Sequence, residues 1–423
     1  MTSVIEVRIW DTLVGAVAAD PALGCYVFEY DPAWQRGGIE LAPRMMPVRS
    51  TTATFGFPAL GESFHRLPGL LSDALPDDFG NALIDAWMAQ HGVDRGAVTV
   101  LDRLAYMGRR GLGALEFRPA KGAMKESAQP LEMKALVEAA RQVVHGDFSD
   151  DHHAKAALAN IIRVGTSAGG ARAKAVVAWN PTTHELRSGQ FDVAPGFEHW
   201  LLKFDGVGKD AELGTPADYG RIEYAYHRMA LAAKITMAPC RLLEENGRAH
   251  FMTRRFDREG NSKLHLQSLC AISHLDYRQR ATHAYEQYFL TIRELGLGDS
   301  ANVEAFRRMV FNVMARNCDD HTKNFAFRLR HGGEWELAPA YDVTHAHNPA
   351  GEWTRQHLMS VNGKFDQIAR GDLLEVADRF SVPRAAALIS EVRAALDHWP
   401  AFAREADLPP GTANKVARDF WPL

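Results

Sequence analysis

The chain has 423 residues, 46% hydrophobic and 24% charged, an ordinary globular composition with length enough for two or three domains. A formal charge of −4 gives it no overall basic field with which to hold nucleic acid. Cys25, Cys240, Cys270 and Cys318 stand far apart without a C-x-x-C pair, which speaks against a zinc site or a disulfide scaffold and for four buried thiols. The first residues alternate like a strand and lack a basic signal region, and no apolar run reaches the roughly eighteen residues of a membrane span. A soluble, cytoplasmic protein is the expectation.

Taken in order, Val4 to Ile9 and Cys25 to Tyr30 read as strands, and Leu75-Pro76-Asp77-Asp78 opens a helix that buries Leu83, Ile84 and Trp87. Gly108, Gly111 and Gly113 mark a loop before Ala114-Leu115-Glu116-Phe117. Nothing in this part has catalytic spacing. Lys121 to Gln129 is polar and unpatterned, the best linker candidate, and helices follow at Leu131 to Val144 and around Ala154 to Ile162. The stretch from Val164 to Lys174 then carries Gly165, Gly169 and Gly170 among small residues, which lets backbone N–H groups approach a phosphate. It is not a Walker loop, because Ala171 stands where the lysine belongs. A plain surface loop is the competing reading.

Ala175 to Trp179 and His199 to Phe204 read as strands, the second with Lys203 facing away from Trp200, Leu202 and Phe204. A strand lysine soon after a glycine loop is where kinases pair their nucleotide phosphates. Thr215-Pro216 should open the next helix, with Ile222, Ala225, Tyr226 and Met229 inward and Glu223 placed to hold Lys203. A hairpin spans Cys240 to Thr253, Arg254 to Arg258 forms a hinge, and beyond Leu264 the periodicity is nearly all helical.

The chemistry concentrates in Arg316 to Phe325, after a helix burying Phe306, Met309, Val310 and Val313. Asp319 and Asn324 have the D-x-x-x-x-N spacing of a phosphotransferase loop. There the aspartate takes or orients a hydroxyl proton and the asparagine oxygen holds Mg²⁺. Asp342, after the strand-like Glu334 to Leu337, fits the second metal-facing carboxylate. Asp320 is the rival base, although Asn324 lies only four residues beyond it. His321 could orient the loop or touch a phosphate. A metal-dependent hydrolase using Asp319, His321, Asp342 and His345 is a separate reading of the same residues.

The order of glycine loop, strand lysine, helix glutamate, hinge, D-x-x-x-x-N and later aspartate resembles the HipA family of bacterial serine/threonine kinases, the high-persistence toxins. The likeness runs nearly end to end, through Trp10 to Tyr30, Leu75 to Asp78, Gly165 to Lys174, Arg255 to Arg258, Asp319 to Asn324, Pro339 to Asp342 and Met359 to Lys364. It implies an α+β kinase fold: a β-rich N-terminal subdomain (1–120), a mixed nucleotide-binding lobe (121–255) and an all-α C-terminal lobe (256–423). It also implies ATP and Mg²⁺ as cofactors, with Asp319, Lys203 and Glu223 catalytic and Asn324 and Asp342 on the metal. Gly165, Gly169, Gly170, Lys203, Phe256, Asp257, His321 and Asp342 would bind the nucleotide, and Ser167, beside Thr166, would be autophosphorylated. The implied partners are a HipB-type helix-turn-helix antitoxin with its operator DNA and a protein substrate, typically an aminoacyl-tRNA synthetase. A catalytically weak, DNA-bound corepressor is the alternative within the family. Arg254 and Leu266-Gln267-Ser268-Leu269 depart from the family pattern near the adenine and ribose side.

Overall fold

The computed structural model describes residues 2–90, 92–120, 131–145, 173–207 and 218–423, and the architecture is α+β. The first unit is a five-stranded antiparallel sheet in the order β4-β3-β2-β1-β5: β1 Val4–Ile9, β2 Thr12–Asp20, β3 Cys25–Tyr30, β4 Thr54–Gly56 and β5 Leu115–Arg118. Period-two alternation in β1 buries Ile5, Val7 and Ile9 completely, against Phe28, Leu71 and Leu104. Because β5 pairs with β1, the loop holding Gly111 and Gly113 is pinned at the sheet's edge.

The second sheet has the order β7-β6-β8-β10-β9: β6 Lys174–Trp179, β7 Leu186–Ser188, β8 Glu198–Lys203, β9 Cys240–Glu245 and β10 Arg248–Arg254. Every residue of β6 is buried, as expected of a strand covered on both faces. β9 and β10 meet at Asn246-Gly247, both with positive φ (47° and 76°), the two-residue turn that matches strand twist. The helix Asp78–Gln90 joins the two units, since Phe79 and Leu83 pack under the second sheet while Ile84 and Met88 belong to the first core.

The third core is mainly helical and takes in the helices Tyr285–Glu294, Gly298–Met314, Arg370–Arg379 and Ala385–Asp397. Helix Tyr219–Ala232 packs there through Ile222, Ala225, Tyr226 and Met229, and the Tyr226 hydroxyl donates to Ala315 O at 2.6 Å. Its start, expected at Thr215-Pro216, lies outside the described residues, and Asp218 precedes it in the left-handed region (φ 70°). The helical reading beyond Leu264 misses two small sheets, one of them the parallel pair His283–Ala284 with Met359–Ser360. His265–Ser268, Ala326–Leu329 and Trp335–Leu337 form a three-stranded sheet, each strand too short for its period to show against the helices around it. Among the described residues no helix is long and apolar enough to cross a membrane. Cys25, Cys270 and Cys318 are buried, but Cys240 is half-buried, contrary to the expectation of four buried thiols.

Candidate active site

Helix Gly298–Met314 buries the four apolar residues that announced it and stops at Ala315. Arg316 then turns through positive φ (54°), and Cys318 N donates to Ala346 O at 2.9 Å, fixing the following loop to the segment after Asp342. From there the two aspartates part. Asp320 points inward, where Oδ1 accepts Leu358 N at 2.8 Å and Oδ2 accepts the Tyr285 hydroxyl at 2.8 Å and His357 Nδ1 at 2.9 Å. Burial opposes charge on His357, but Cys318 and the Asp320 carboxylate outweigh it and raise its pKa to about 10. A carboxylate so occupied cannot take a substrate proton. Of the two rivals, Asp319 is the aspartate whose carboxylate stays partly exposed.

The Asp319 side chain keeps 38% of its surface open. Its Oδ1 accepts Trp353 Nε1 at 2.7 Å and lies 3.7 Å from His321 Nε2. Desolvation raises its pKa against the pull of His321 and Trp353, with Asp342 and Asp320 adding to the rise. Asn324 Nδ2 donates to Asp319 O at 2.7 Å, which leaves the amide oxygen as the free end of that side chain. His321 packs its ring against Tyr277, centroids 5.2 Å apart.

Across the cleft, β8 lies between β6 and β10 and ends on Lys203. The Lys203 ammonium donates to both Glu223 Oε1 and Asp342 Oδ1. Burial disfavours the ammonium, yet these two carboxylates raise its pKa above the usual lysine range. Asp342 is desolvated too, and Lys203 followed by Lys174 holds its pKa well below the carboxylate norm. Asp342 also sits at φ 51°, a strained conformation for a non-glycine residue. The expected Lys203–Glu223 pair thus forms, and Asp342, expected with Asn324 on the metal, joins it.

The hinge behaves otherwise. Asp257 lines the cleft, but its carboxylate accepts Arg255 Nε (2.9 Å), Arg255 Nη2 (2.7 Å), Arg258 Nη1 (2.8 Å) and Gly113 N (2.7 Å). It clamps the hinge to the N-terminal sheet, so this carboxylate, expected among the nucleotide ligands, is already filled by four donors. Phe256 does face the cleft, tilted against the Tyr341 ring at 5.6 Å. Gly165, Gly169, Gly170 and Ser167 lie outside the described residues. His345 Nε2 bonds Asp419 Oδ2 at 2.8 Å, so the hydrolase constellation of Asp319, His321, Asp342 and His345 does not assemble.

Two residues of the cleft, Lys174 and Asp73, and one beside it, Asp77, escaped the sequence reading. Lys174 lines it as the first residue of β6, where it had been counted with the glycine loop. Asp73 and Asp77 come from a part of the chain without catalytic spacing. Asp73 lines the cleft and accepts Ser268 N at 2.6 Å and Ser268 Oγ at 2.9 Å, and Asp77 stands beside Lys174. Lys174 could have been found, because its parity along β6 puts it on one face with Lys203. For Asp73 the sequence offers no signal.

The donors suit Mg²⁺. Asn324 and Asp342 both line the cleft and offer hard oxygens, and a magnesium site needs only one or two protein carboxylates or amides alongside phosphate and water. Among the described residues no cluster of three or more His, Cys, Asp or Glu forms a closed metal cage.

The sequence profile of the HipA N-terminal domain matches residues 5–118, and that of the HipA-like C-terminal domain matches residues 166–399. The chain belongs to the HipA family. A comparison with curated proteins returns no match. Among solved structures, the chain is similar to one from the Shewanella oneidensis MR-1 toxin–antitoxin complex of HipA, HipB and operator DNA. The TM-score is 0.66 at 20% identity, over 98% of this chain and 94% of that one, which shows the HipA fold. The Helicobacter pylori proinflammatory kinase CtkA gives a TM-score of 0.34 at 12% identity, over 53% of this chain and 88% of that one. So loose a superposition informs neither site nor activity.

Proposed function

We propose that the chain is an ATP-dependent protein kinase that phosphorylates a serine or threonine hydroxyl. The supporting observation is the convergence of Lys203, Glu223 and Asp342 in a cleft also lined by Lys323 and Asn324, with Asn324 tied back to Asp319 O. Asp319 accepts the proton of the attacking hydroxyl as the new P–O bond forms and ADP leaves. Its raised pKa makes it a better base than an ordinary carboxylate. Lys203 would neutralise phosphate charge, and Glu223 holds its ammonium in place. Asn324 Oδ1 and Asp342 would hold Mg²⁺, which would supply neutralisation of the phosphate charge. Phosphoryl transfer is mostly positioning and charge stabilisation, which is what amides, carboxylates and cations without a separate nucleophile supply.

Family membership supports the finer reading of a toxin that inhibits growth by phosphorylating an aminoacyl-tRNA synthetase and silences itself through Ser167 in the glycine loop. The S. oneidensis HipA is solved with HipB and operator DNA. A HipB-type partner is proposed here as well, and with a net charge of −4 this chain would reach the operator through that partner.

The test is phosphate transfer from labelled ATP with Mg²⁺, by the parent and by Asn324→Ala and Asp342→Ala. The parent should label a protein hydroxyl, with Ser167 found by mass spectrometry, and both variants should lose Mg²⁺-dependent ATP binding. A parent that neither binds nor turns over ATP would overturn the reading. Phosphoproteomics after induced expression then names the substrate.

A further inference from the structure

One short segment, residues 353–358, touches both neighbouring aspartates. His357 Nδ1 and Leu358 N donate to the buried Asp320 carboxylate, and Trp353 Nε1 donates to Asp319 Oδ1 at 2.7 Å. The segment is therefore anchored on the aspartate that is saturated and reaches back to the one that stays open. The turn carrying the indole is closed by its own backbone: Gly351 N donates to Asn348 O at 2.9 Å and Asn348 N to Thr354 O at 3.2 Å. Thr354 is buried, and Arg280 Nη1 donates to Glu352 O at 2.8 Å, next to the indole in the chain. The indole also meets the His321 ring edge-on, centroids 6.3 Å apart.

Trp353 and His321 both approach the same oxygen of Asp319, Oδ1, and among the described residues no donor reaches Oδ2. The terminal torsion of an aspartate is broad and roughly two-fold, so the side chain alone does not choose which oxygen it presents. One strong donor on Oδ1 makes that choice. His321 Nε2, at 3.7 Å, is too far to make it. An indole N–H donates and cannot accept, so it orients a base without competing for the proton. Trp353 is not among the residues that line the cleft of Lys203, Glu223 and Asp342.

We propose that Trp353 is a positioning residue for phosphoryl transfer: its indole N–H fixes the Asp319 carboxylate so that Oδ2 faces the incoming hydroxyl. This rests on the kinase reading above and adds to it a residue from outside the Asp319–Asn324 loop that acts only through the base. As the hydroxyl oxygen bonds to the γ-phosphorus and the bond to ADP breaks, the hydroxyl proton passes to Oδ2 while Oδ1 keeps its bond to the indole. An oriented acceptor matters because a small misplacement of a reacting group costs a large factor in rate. Nucleotide binding, in contrast, has no need of Trp353.

Transfer of labelled phosphate from ATP to a protein hydroxyl by the full-length chain, measured over a range of ATP concentrations, tests it. Trp353→Phe keeps an aromatic ring and removes the donor. It should lower kcat by about tenfold or more, the worth of a hydrogen bond to a charged group, with KM for ATP unchanged. Placing benzothienylalanine at position 353, where sulfur stands for the indole N–H at the same shape, should give the same loss with the unfolding midpoint of the parent. That isostere carries the test if Trp353→Phe does not fold. In the Asp319→Asn background neither change should lower the residual rate further, because the two residues act as one unit. Full kcat with benzothienylalanine would overturn the proposal, as would an equal loss in the Asp319→Asn background or a change confined to KM for ATP. If the parent transfers no phosphate, the kinase reading falls and this inference with it, whereas an active parent beside an equally active benzothienylalanine protein sinks this inference alone.

Discussion

Two buried clusters of cations and carboxylates stand on the same cleft, and they are built to opposite ends. At the hinge, one carboxylate, Asp257, meets two guanidiniums, and Arg255 Nη2 and both Arg258 Nη atoms also reach Gly111 O or Gly113 O at 3.0–3.3 Å. Four donors on one carboxylate leave it nothing to give a ligand. At the strand end, one ammonium, Lys203, meets two carboxylates, a net-negative group open to the cleft. Such a cluster is prepared for a divalent cation and a phosphate. The same contrast divides Asp320, with three donors, from Asp319, with an open oxygen. Saturation marks the residues that hold the fold, and incomplete satisfaction marks those placed to react.

The strongest way to break this comparison is to treat the neighbouring aspartates alike. Asp319→Asn should lower phosphotransfer by about a thousandfold or more, roughly 4 kcal/mol of transition-state stabilisation, with the unfolding midpoint unchanged. Asp320→Asn should instead lower stability, because it removes the counter-charge of a buried imidazolium. An Asp319→Asn enzyme of normal turnover would end the assignment of the base.

At the hinge, Asp257→Ala strands Arg255 and Arg258 without their carboxylate in a buried site. A loss of about 3 kcal/mol is expected in denaturant unfolding. ATP affinity measured at low temperature, where the variant stays folded, should fall far less than in Lys203→Ala. A selective loss of ATP binding at full stability would return Asp257 to the ligand set.

What the sequence revealed and hid follows the same division. Asp319 and Asn324 share a single loop, so their spacing alone displays the site, and the Asn246-Gly247 turn displays its hairpin. Lys203, Glu223 and Asp342 were legible because strand and helix periods aim their side chains and the order of elements matches a family. The partition of Asp319 from Asp320 was not legible, since it depends on His357, Tyr285 and Leu358 arriving from other elements. The clamp on Asp257 was hidden for the same reason, as Gly111 and Gly113 reach it through the pairing of β5 with β1. Satisfaction of a buried polar group is a tertiary property, and no local pattern reports it.

The Asp320–His357 pair also sets a pH dependence. The folded pKa of His357, about 10, lies above its ordinary 6.5. Stability from the pair is therefore complete below about pH 6.5 and is lost as the pH climbs through about 10. The gap in urea midpoint between the parent and His357→Gln should be widest near neutrality or below and should narrow steadily toward pH 10. A gap constant over that range would mean that His357 is neutral in the fold and that Asp320 holds it by hydrogen bonding alone.

The smallest effect expected comes from Gly113, whose N–H donates to the Asp257 carboxylate and whose φ is 73°. A Cβ built there would stand 3.1 Å from Leu266 N and 3.3 Å from Leu266 Cβ, tight enough that the strand His265–Ser268 must give by a few tenths of an ångström. Gly113→Ala should thus cost about 1 kcal/mol, a sum of left-handed strain and crowding offset in part by a stiffer unfolded chain. The substitution removes no charge and leaves Arg255 and Arg258 in place, so it probes the clamp without dismantling it. If the clamp sets the adenine side of the cleft, Gly113→Ala should weaken ATP and adenosine by the same modest factor, because Leu266 lines that wall and moves with the strand. A loss confined to ATP would mean instead that the N-terminal loop communicates with the phosphates, and the separation between a structural hinge and a reactive strand end would have to be redrawn.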